Sequence, residues 1–365
     1  DPGCMKCMDC VSVCPNGALY WGFGKPSVTV KKSLPRNYSL TWPEEILAAA
    51  VFAASYFAVW DVYQLVPMLM ALGIACVTTF VALRTFKLFR ATELSFYRFN
   101  LKLAGTIQSA GWIFIAFSVF WIGVNAHSGW IRYNEVSGAK AFSNLEIPDE
   151  LALAQRNPAR WLSVSDQANI ADGRRYLNSA NDFGFFTNAD TLPKLAWLEF
   201  LAGNAERAAD ALGFAAEHQQ RQARALSLYY RGAILNRLGR HEEALLSLDS
   251  AVAERPDLIT AMEEKGVAFW NLRRIDEATA MWRVAVAQNS NPPMANSFLE
   301  GAAILSGDAE TAAFYKDQAS RNTPNDPLFH WMLGLRLKNL GMNELAAENF
   351  KHAIELNPEF RRALN

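Results

Sequence analysis

The sequence predicts a mainly α-helical protein built from three successive parts. Four of its five cysteines lie within eleven residues near the start, at positions 4–14. A strongly apolar stretch follows, from about residue 44 to 125, and small residues then recur every 34 positions. These observations predict a small α+β metal-binding fragment, three membrane-spanning helices and a helical solenoid. A chain of 365 residues is long enough for two or three such units.

Composition excludes some classes of partner and of site. The net charge of −1 leaves no basic excess, so no nucleic-acid partner is predicted. The cysteines cluster instead of spreading through the chain, which favours a metal site over a disulfide framework. We expect the fifth, Cys76, to be a packing residue of an apolar helix.

The cysteine-rich start has a specific spacing. Residues 4–15 read C-x2-C-x2-C-x3-C-P, the run typical of bacterial ferredoxins. The predicted cofactor and metal ligands are therefore Cys4, Cys7, Cys10 and Cys14. A zinc site is one alternative, although zinc sites with four cysteines usually use two separated pairs. A ferredoxin remnant without any cluster is another.

Residues 1–36 resemble one half of a two-cluster ferredoxin module. The resemblance implies that Cys4, Cys7 and Cys10 hold one [4Fe–4S] cluster and that Cys14 reaches a second. A partner run of cysteines upstream would complete both clusters. We therefore expect the module to be truncated at its N-terminal side.

Residues 41–126 are expected to hold three transmembrane helices. Thr41 and Glu44 have the spacing of a capping box at the start of the first. Runs of about 20 apolar residues are long enough to cross the hydrocarbon core. The predicted bounds are about 44–63, 64–84 and 103–125.

Basic residues predict the orientation of these helices. Lys and Arg precede the first helix and fill the 84–102 loop, whereas the turn near Asp61 carries none. The positive-inside rule then places the cysteine motif in the cytoplasm. The repeat region, 146–365, falls on the periplasmic side of a bacterial inner membrane.

The repeat region has a period of 34 residues. Three sets of positions show it: Ala244, Ala278, Ala312 and Ala346; Leu248, Trp282, Lys316 and Phe350; and Gly232, Gly266 and Gly334, a series that Glu300 breaks. The pattern resembles the tetratricopeptide repeat (TPR), which implies a concave surface that holds a protein or peptide. Another repeat fits near 189–218, two residues off register. Lys316 replaces a large apolar residue, which predicts looser packing there.

The layout resembles membrane polyferredoxins of the nitrate- and nitrous-oxide-reductase accessory type. This resemblance implies a membrane-anchored iron–sulfur electron-transfer subunit whose TPR domain binds a partner protein. A redox protein or a quinone-linked complex is then the expected partner. The alternative is an assembly or scaffold protein with a structural or redox-sensing cluster. No catalytic motif is present, so catalysis by this chain itself has little support.

Overall fold

A computed structural model describes residues 40–155, 158–288 and 292–359. These residues form fifteen α-helices and one three-stranded sheet, so the fold is mainly helical as predicted. The chain divides into two compact units, residues 1–48 and 49–365. The predicted ferredoxin-type motif, residues 4–15, lies outside the described residues.

The apolar region forms three helices. Helix α1 spans Trp42–Val59, α2 spans Met68–Arg90 and α3 spans Ser109–Ser143. One of the two hydrogen bonds of the predicted capping box is present: the Thr41 N–H donates to Glu44 Oε2 at 2.8 Å. Between α1 and α2 the chain makes a short 3-10 turn, Val62–Gln64.

A small antiparallel sheet separates α2 from α3. Its strands are β1 (Leu94–Phe96), β2 (Phe99–Leu103) and β3 (Thr106–Ile107), in the order β1-β2-β3. Leu103 pairs with Thr106 across Ala104 and Gly105, which both have positive φ. Two such residues make the tight turn that suits a hairpin. The predicted start of the third helix at residue 103 is therefore wrong, and the helix starts at Ser109.

Helix α3 is longer than the sequence predicted. It continues without a break past residue 126, the predicted end of the apolar region, to Ser143. Its second half packs closely against α5 (Val164–Phe183). A Cβ atom added at Gly138 would lie 2.5 Å from Leu177 Cδ2. One helix therefore belongs both to the apolar region and to the helical domain that follows.

The remaining helices form a chain of antiparallel pairs. After α4 (Asp149–Ala154) and α5 they are α6 (Leu192–Leu201), α7 (Ala205–His218), α8 (Arg221–Arg237), α9 (His241–Glu254), α10 (Ile259–Asn271), α11 (Ile275–Gln288), α12 (Pro293–Ser306), α13 (Ala309–Asn322), α14 (Pro327–Asn339) and α15 (Asn343–Leu356).

The helix starts reproduce the predicted period. The second helices of the pairs, α7, α9, α11, α13 and α15, begin at residues 205, 241, 275, 309 and 343. The first interval is 36 residues and the others are 34, which agrees with the two-residue offset predicted for the earliest pair. We call the pairs α8–α9, α10–α11, α12–α13 and α14–α15 the first to fourth repeats.

Glycines allow the two helices of a repeat to approach closely. A Cβ atom at Gly232 would lie 2.5 Å from Leu248 Cγ, and one at Gly334 would lie 2.7 Å from Phe350 Cε1. At Gly266 the Trp282 indole leaves no room for a Cβ atom either. A glycine facing a large apolar side chain is thus the packing unit of the first, second and fourth repeats.

Candidate functional site

The concave side of the repeat domain is where a TPR array would hold a partner. Here a segment of the same chain, residues 145–155, lies along it. Helix α4 in this segment contacts both α8 and α14, which are the first helices of repeats three periods apart. A segment that touches both must cross the face where the first helices of the repeats converge.

Buried contacts hold this segment in place. Leu151, Ala152, Leu153 and Ala154 are all buried. The Tyr230 hydroxyl donates to Asp149 Oδ2 at 2.6 Å, and Asn339 Nδ2 donates to the Ala154 carbonyl at 3.1 Å. Part of the concave surface that the sequence predicted as a partner site is therefore covered, in the described residues, by the chain itself.

Charged side chains also join the first helices of the repeats. Arg336 Nη1 lies 2.6 Å from Glu264 Oε1, and both side chains are buried. Asn236 Nδ2 donates to the Glu264 carbonyl at 3.0 Å. Burial raises the pKa of Glu263 to about 7 and lowers the pKa of Arg237 to about 10. The Asn236, Glu264 and Arg336 contacts join α8, α10 and α14, which indicates a structural role.

A cavity of about 510 Å³ opens between the third and fourth repeats. We call it the inter-repeat cleft. Its polar and charged lining residues are Ser297, Glu300, Lys316, Ser320, Thr323, Asn325, His330, Glu348, Asn349, Lys351, His352 and Glu355. The cleft lies where the glycine–apolar pair is missing: Glu300 stands at the glycine position and Lys316 at the large apolar position. The sequence predicted looser packing at Lys316, and the cleft is consistent with it.

Most charges in the cleft have partners. Lys316 Nζ lies 3.0 Å from Glu348 Oε1, and Lys351 Nζ lies 3.8 Å from Glu355 Oε1. His330 Nδ1 is 3.0 Å from Asn349 Oδ1. The His330 and His352 rings lie 4.3 Å apart, edge to face.

Glu300 differs from these groups. The residue as a whole is only 6% exposed, yet its side chain makes no hydrogen bond or ion pair with any residue that the structure describes. Burial raises the pKa of Glu300 to about 7; the nearby Lys316 opposes the shift, and the negative charge of Glu348 adds to it. A buried carboxyl without a partner is costly, which marks this position as unusual.

Sequence reasoning noticed Glu300 and Lys316 separately, as two departures from the repeat pattern. It did not connect them. The signal was available, because both departures fall in the same repeat at positions that contact each other in the other repeats. Nothing in the sequence pattern marked His330 and His352 as residues that line a cavity.

The predicted [4Fe–4S] cofactor has to be corrected. Across residues 40–155, 158–288 and 292–359, no group of three or more His, Cys, Asp or Glu side chains could hold a metal ion. The four predicted ligands, Cys4, Cys7, Cys10 and Cys14, lie outside those ranges. We therefore assign no cluster to the part of the chain that the structure describes. Cys76, expected to be a packing residue, is exposed on α2.

The three apolar helices bury polar groups between them. Asn125 Oδ1 accepts hydrogen bonds from Ser55 Oγ at 2.8 Å and from Thr78 Oγ1 at 3.2 Å. Thr85 Oγ1 donates to Ser118 Oγ at 2.9 Å. The outward faces carry large apolar side chains that are 40% exposed or more: Phe57, Leu69, Met70, Val77, Phe80, Trp112, Ile113, Phe117, Val119 and Phe120.

Two of these helices are long and apolar enough to cross a membrane, α2 and α3. The sequence predicted three spans. Helix α1 is not among those that qualify, and it carries Glu44 and Glu45 in its first turn.

Comparison with known proteins supports the repeat assignment. Residues 329–360 match the model of the tetratricopeptide repeat family. These residues are most of the fourth repeat, which supports the predicted TPR domain, a class of domain that mediates protein–protein interactions. No curated protein matches the sequence.

Solved structures of several helical proteins are similar to part of the chain. A MamA fragment from Desulfovibrio magneticus RS-1 is 22% identical over 47% of this chain and 96% of its own, with a TM-score of 0.35. PilF from Pseudomonas aeruginosa is 18% identical over 53% and 86%, with a TM-score of 0.40. A TPR protein from Cytophaga hutchinsonii is 14% identical over 55% and 79%, also with a TM-score of 0.40. TM-scores this low carry no information about function.

Proposed function

We propose that this protein is a membrane-anchored TPR scaffold that holds a partner protein beside the membrane. One observation carries the proposal: α3 runs without a break from the apolar region into the helical domain, where it packs on α5. A partner bound to the repeats is thereby held at a set distance from the apolar helices.

The distribution of polarity supports the membrane anchor. The buried side chains between the apolar helices include Ser55, Thr78, Ser118 and Asn125, whereas the outward faces are apolar. Water would favour the reverse arrangement, because exposed apolar surface is costly there. In lipid, outward apolar side chains face hydrocarbon, and small polar groups hydrogen-bond between the helices.

Aromatic side chains gather where the apolar helices meet the helical domain. Trp130, Phe183, Phe185 and Phe186 are between 42% and 65% exposed at this level. The Phe185 N–H donates to the Tyr63 hydroxyl at 2.9 Å, which connects the loop after α5 to the α1–α2 turn. Aromatic rings are typical of the lipid headgroup region. We place the membrane surface at this loop.

Basic residues supply the orientation. The segment from the end of α2 to the start of α3 carries Arg84, Lys87, Arg90, Arg98 and Lys102. By the positive-inside rule this end is cytoplasmic. The repeat domain is at the opposite end of the apolar part of α3, which we assign to the periplasm of a bacterial inner membrane.

The test uses the full chain expressed in a Gram-negative host. We expect it to stay in the membrane pellet after alkaline carbonate extraction. Protease added to intact spheroplasts should cut within residues 146–365 and leave the 84–102 segment intact. Extraction into the soluble fraction would refute the membrane anchor. If the repeat domain were protected and the 84–102 segment cut, the proposed orientation would be wrong, but the membrane anchor would stand.

In a scaffold role, the partner binds to the repeats and the apolar helices keep the same arrangement. The alternative from the sequence, electron transfer through an iron–sulfur cluster, is not carried further because no cluster is assigned. A scaffold or assembly role for a membrane complex needs only the anchor and a binding site on the repeats.

A further inference from the structure

At the inter-repeat cleft, charged residues occupy both positions of the glycine–apolar pair, Glu300 and Lys316. Leu248 and Trp282, at the position that corresponds to Lys316, are fully buried against their glycines. In the third repeat both members of the pair are charged. A single substitution would leave one member of the usual pair in place, and here neither remains.

The cleft has one carboxyl group more than it has lysines. Three carboxyl groups line it, those of Glu300, Glu348 and Glu355, with two lysines, Lys316 and Lys351. Each lysine is within 4 Å of one of the two outer carboxyl groups, Glu348 or Glu355. Glu300, the most buried of the three, has no described partner.

We infer that the inter-repeat cleft binds a basic side chain, arginine or lysine, presented by a segment of the partner protein, and that Glu300 is its acceptor. The inference rests on the proposed scaffold function and names the chemistry of its partner. An incoming cation would supply the hydrogen bonds that the Glu300 carboxylate lacks among the described residues, and a positive charge in direct contact with it.

The surroundings favour such a ligand. The side chains at the mouth are exposed by 59% at Lys316, 58% at Glu348 and 46% at His352, so a segment can approach from solvent. The cleft volume of about 510 Å³ is within the range of small-ligand pockets and holds one long side chain with part of its backbone. Ser297 and Asn349 add polar groups beside the carboxylate.

Helix α4 covers part of the concave side of the array. The inter-repeat cleft is open to solvent, so a partner reaches it without displacing the chain. Its walls belong to two repeats. A bound side chain would therefore bridge the third and fourth repeats and add contacts that these repeats lack at the Glu300–Lys316 position.

The experiment selects random 12-residue peptides on the full-length protein in lipid nanodiscs. We expect selected peptides to share an arginine or lysine at one position. Binding of these peptides should weaken about tenfold or more in Glu300→Gln, because a buried charge pair loses one partner. The control Glu310→Gln changes an exposed residue of α13 outside the cleft and should bind as the wild type does.

A second variant tests the inference even if Glu300→Gln fails to fold. Glu300→Gly combined with Lys316→Leu restores the glycine–apolar pair of the other repeats and fills the cleft. It should abolish peptide binding while melting at a higher temperature than the wild type. A stable variant that still binds the peptides would overturn the inference.

Three results count against the cleft: no peptide selected, selected peptides without a shared cation, or binding that Glu300→Gln leaves unchanged. None of these affects membrane insertion. Retention of every variant in the carbonate-washed pellet would show that the anchor stands while the binding site fails, so the two proposals fail separately.

Discussion

The Arg336 guanidinium lies 2.6 Å from the Glu264 carboxylate, and this buried contact joins the first helix of the fourth repeat to that of the second. Neighbouring repeats in a solenoid normally contact only each other. The pair therefore ties together two repeats that the usual stacking would leave apart, and the Trp270 Nε1–H bond to the Leu340 carbonyl, 2.9 Å long, does the same beside it.

Arg336→Ala should strongly destabilise the repeat domain. Removing one partner of a buried ion pair leaves the other charge uncompensated and typically costs about 3–5 kcal/mol. Thermal unfolding of the full chain in detergent, followed by circular dichroism, measures the change. Arg321→Ala, which breaks an exposed pair with Asp317, is the matched control. It should change the free energy of unfolding by less than about 1 kcal/mol. Equal effects would show that the Glu264 contact adds no stability.

Gly266→Ala should destabilise the second repeat, because the Trp282 indole occupies the space that a Cβ atom needs. Overpacking of this kind costs about 1–3 kcal/mol. Gly213→Ala is the control: its nearest neighbour is the flexible Arg231 side chain at 3.1 Å, and alanine favours a helix by about 0.5–1 kcal/mol. Urea midpoints of the two variants should therefore move in opposite directions.

Glu300→Gln should raise the melting temperature more at pH 8 than at pH 5. The folded-state pKa, about 7, lies above the ordinary value of 4.5, so the folded protein binds this proton more tightly than the unfolded chain does. Stability that the carboxyl group provides at low pH is lost as the pH rises from about 4.5 to 7. Glutamine does not titrate, so the Glu300→Gln variant does not lose this stability as the pH rises.

We expect a difference of a few degrees, since 1 kcal/mol moves the midpoint of a 150–250-residue domain by about 2–4 °C. Differential scanning calorimetry across the pH range measures it. Glu263, whose pKa is also raised to about 7, titrates in both proteins and cancels in the comparison. A difference between variant and wild type that does not vary with pH would contradict the burial of Glu300.

Val119→Arg should impair membrane integration. Val119 is 68% exposed near the middle of the apolar part of α3, and an arginine at the centre of a span costs about 2.5–3.5 kcal/mol in insertion. Val164→Arg is the control, because Val164 is 86% exposed at the start of α5, outside the apolar helices. The fraction glycosylated in an insertion assay reports the difference. If both variants insert like the wild type, the outward face of α3 does not meet lipid.

The loop after α5 should report the membrane surface. An environment-sensitive fluorescent amino acid at position 185 is expected to emit at shorter wavelength in nanodiscs than the same residue at position 214 on α7. Phe185 is 62% exposed and Phe214 is 46% exposed, so both probes are accessible in the protein alone. Equal spectra at the two positions would place the loop in water.

Local patterns in the sequence predict much of this fold. The 34-residue spacing of Ala244, Ala278 and Ala312 places the second helices of the repeats, because the period is a property of each repeat and its neighbour. The apolar runs place the ends of α1 and α2 within about six residues of the observed ones. The hairpin before α3 escaped prediction because its last strands are as apolar as the start of a helix, and only the turn at Ala104 and Gly105 distinguishes them.

The sequence by itself determined the repeats, their glycine–apolar pairs and the apolar helices, since each depends on residues close together in the chain. Only the tertiary structure decided what fills the concave side and what lines the cleft. Asp149 meets Tyr230 of α8 across 81 residues of sequence, and Ala154 meets Asn339 of α14 across 185 residues. Glu300 gains its surroundings from two repeats. Contacts between distant segments leave no periodic trace in either segment, so burial and pairing there become visible only after the chain has folded.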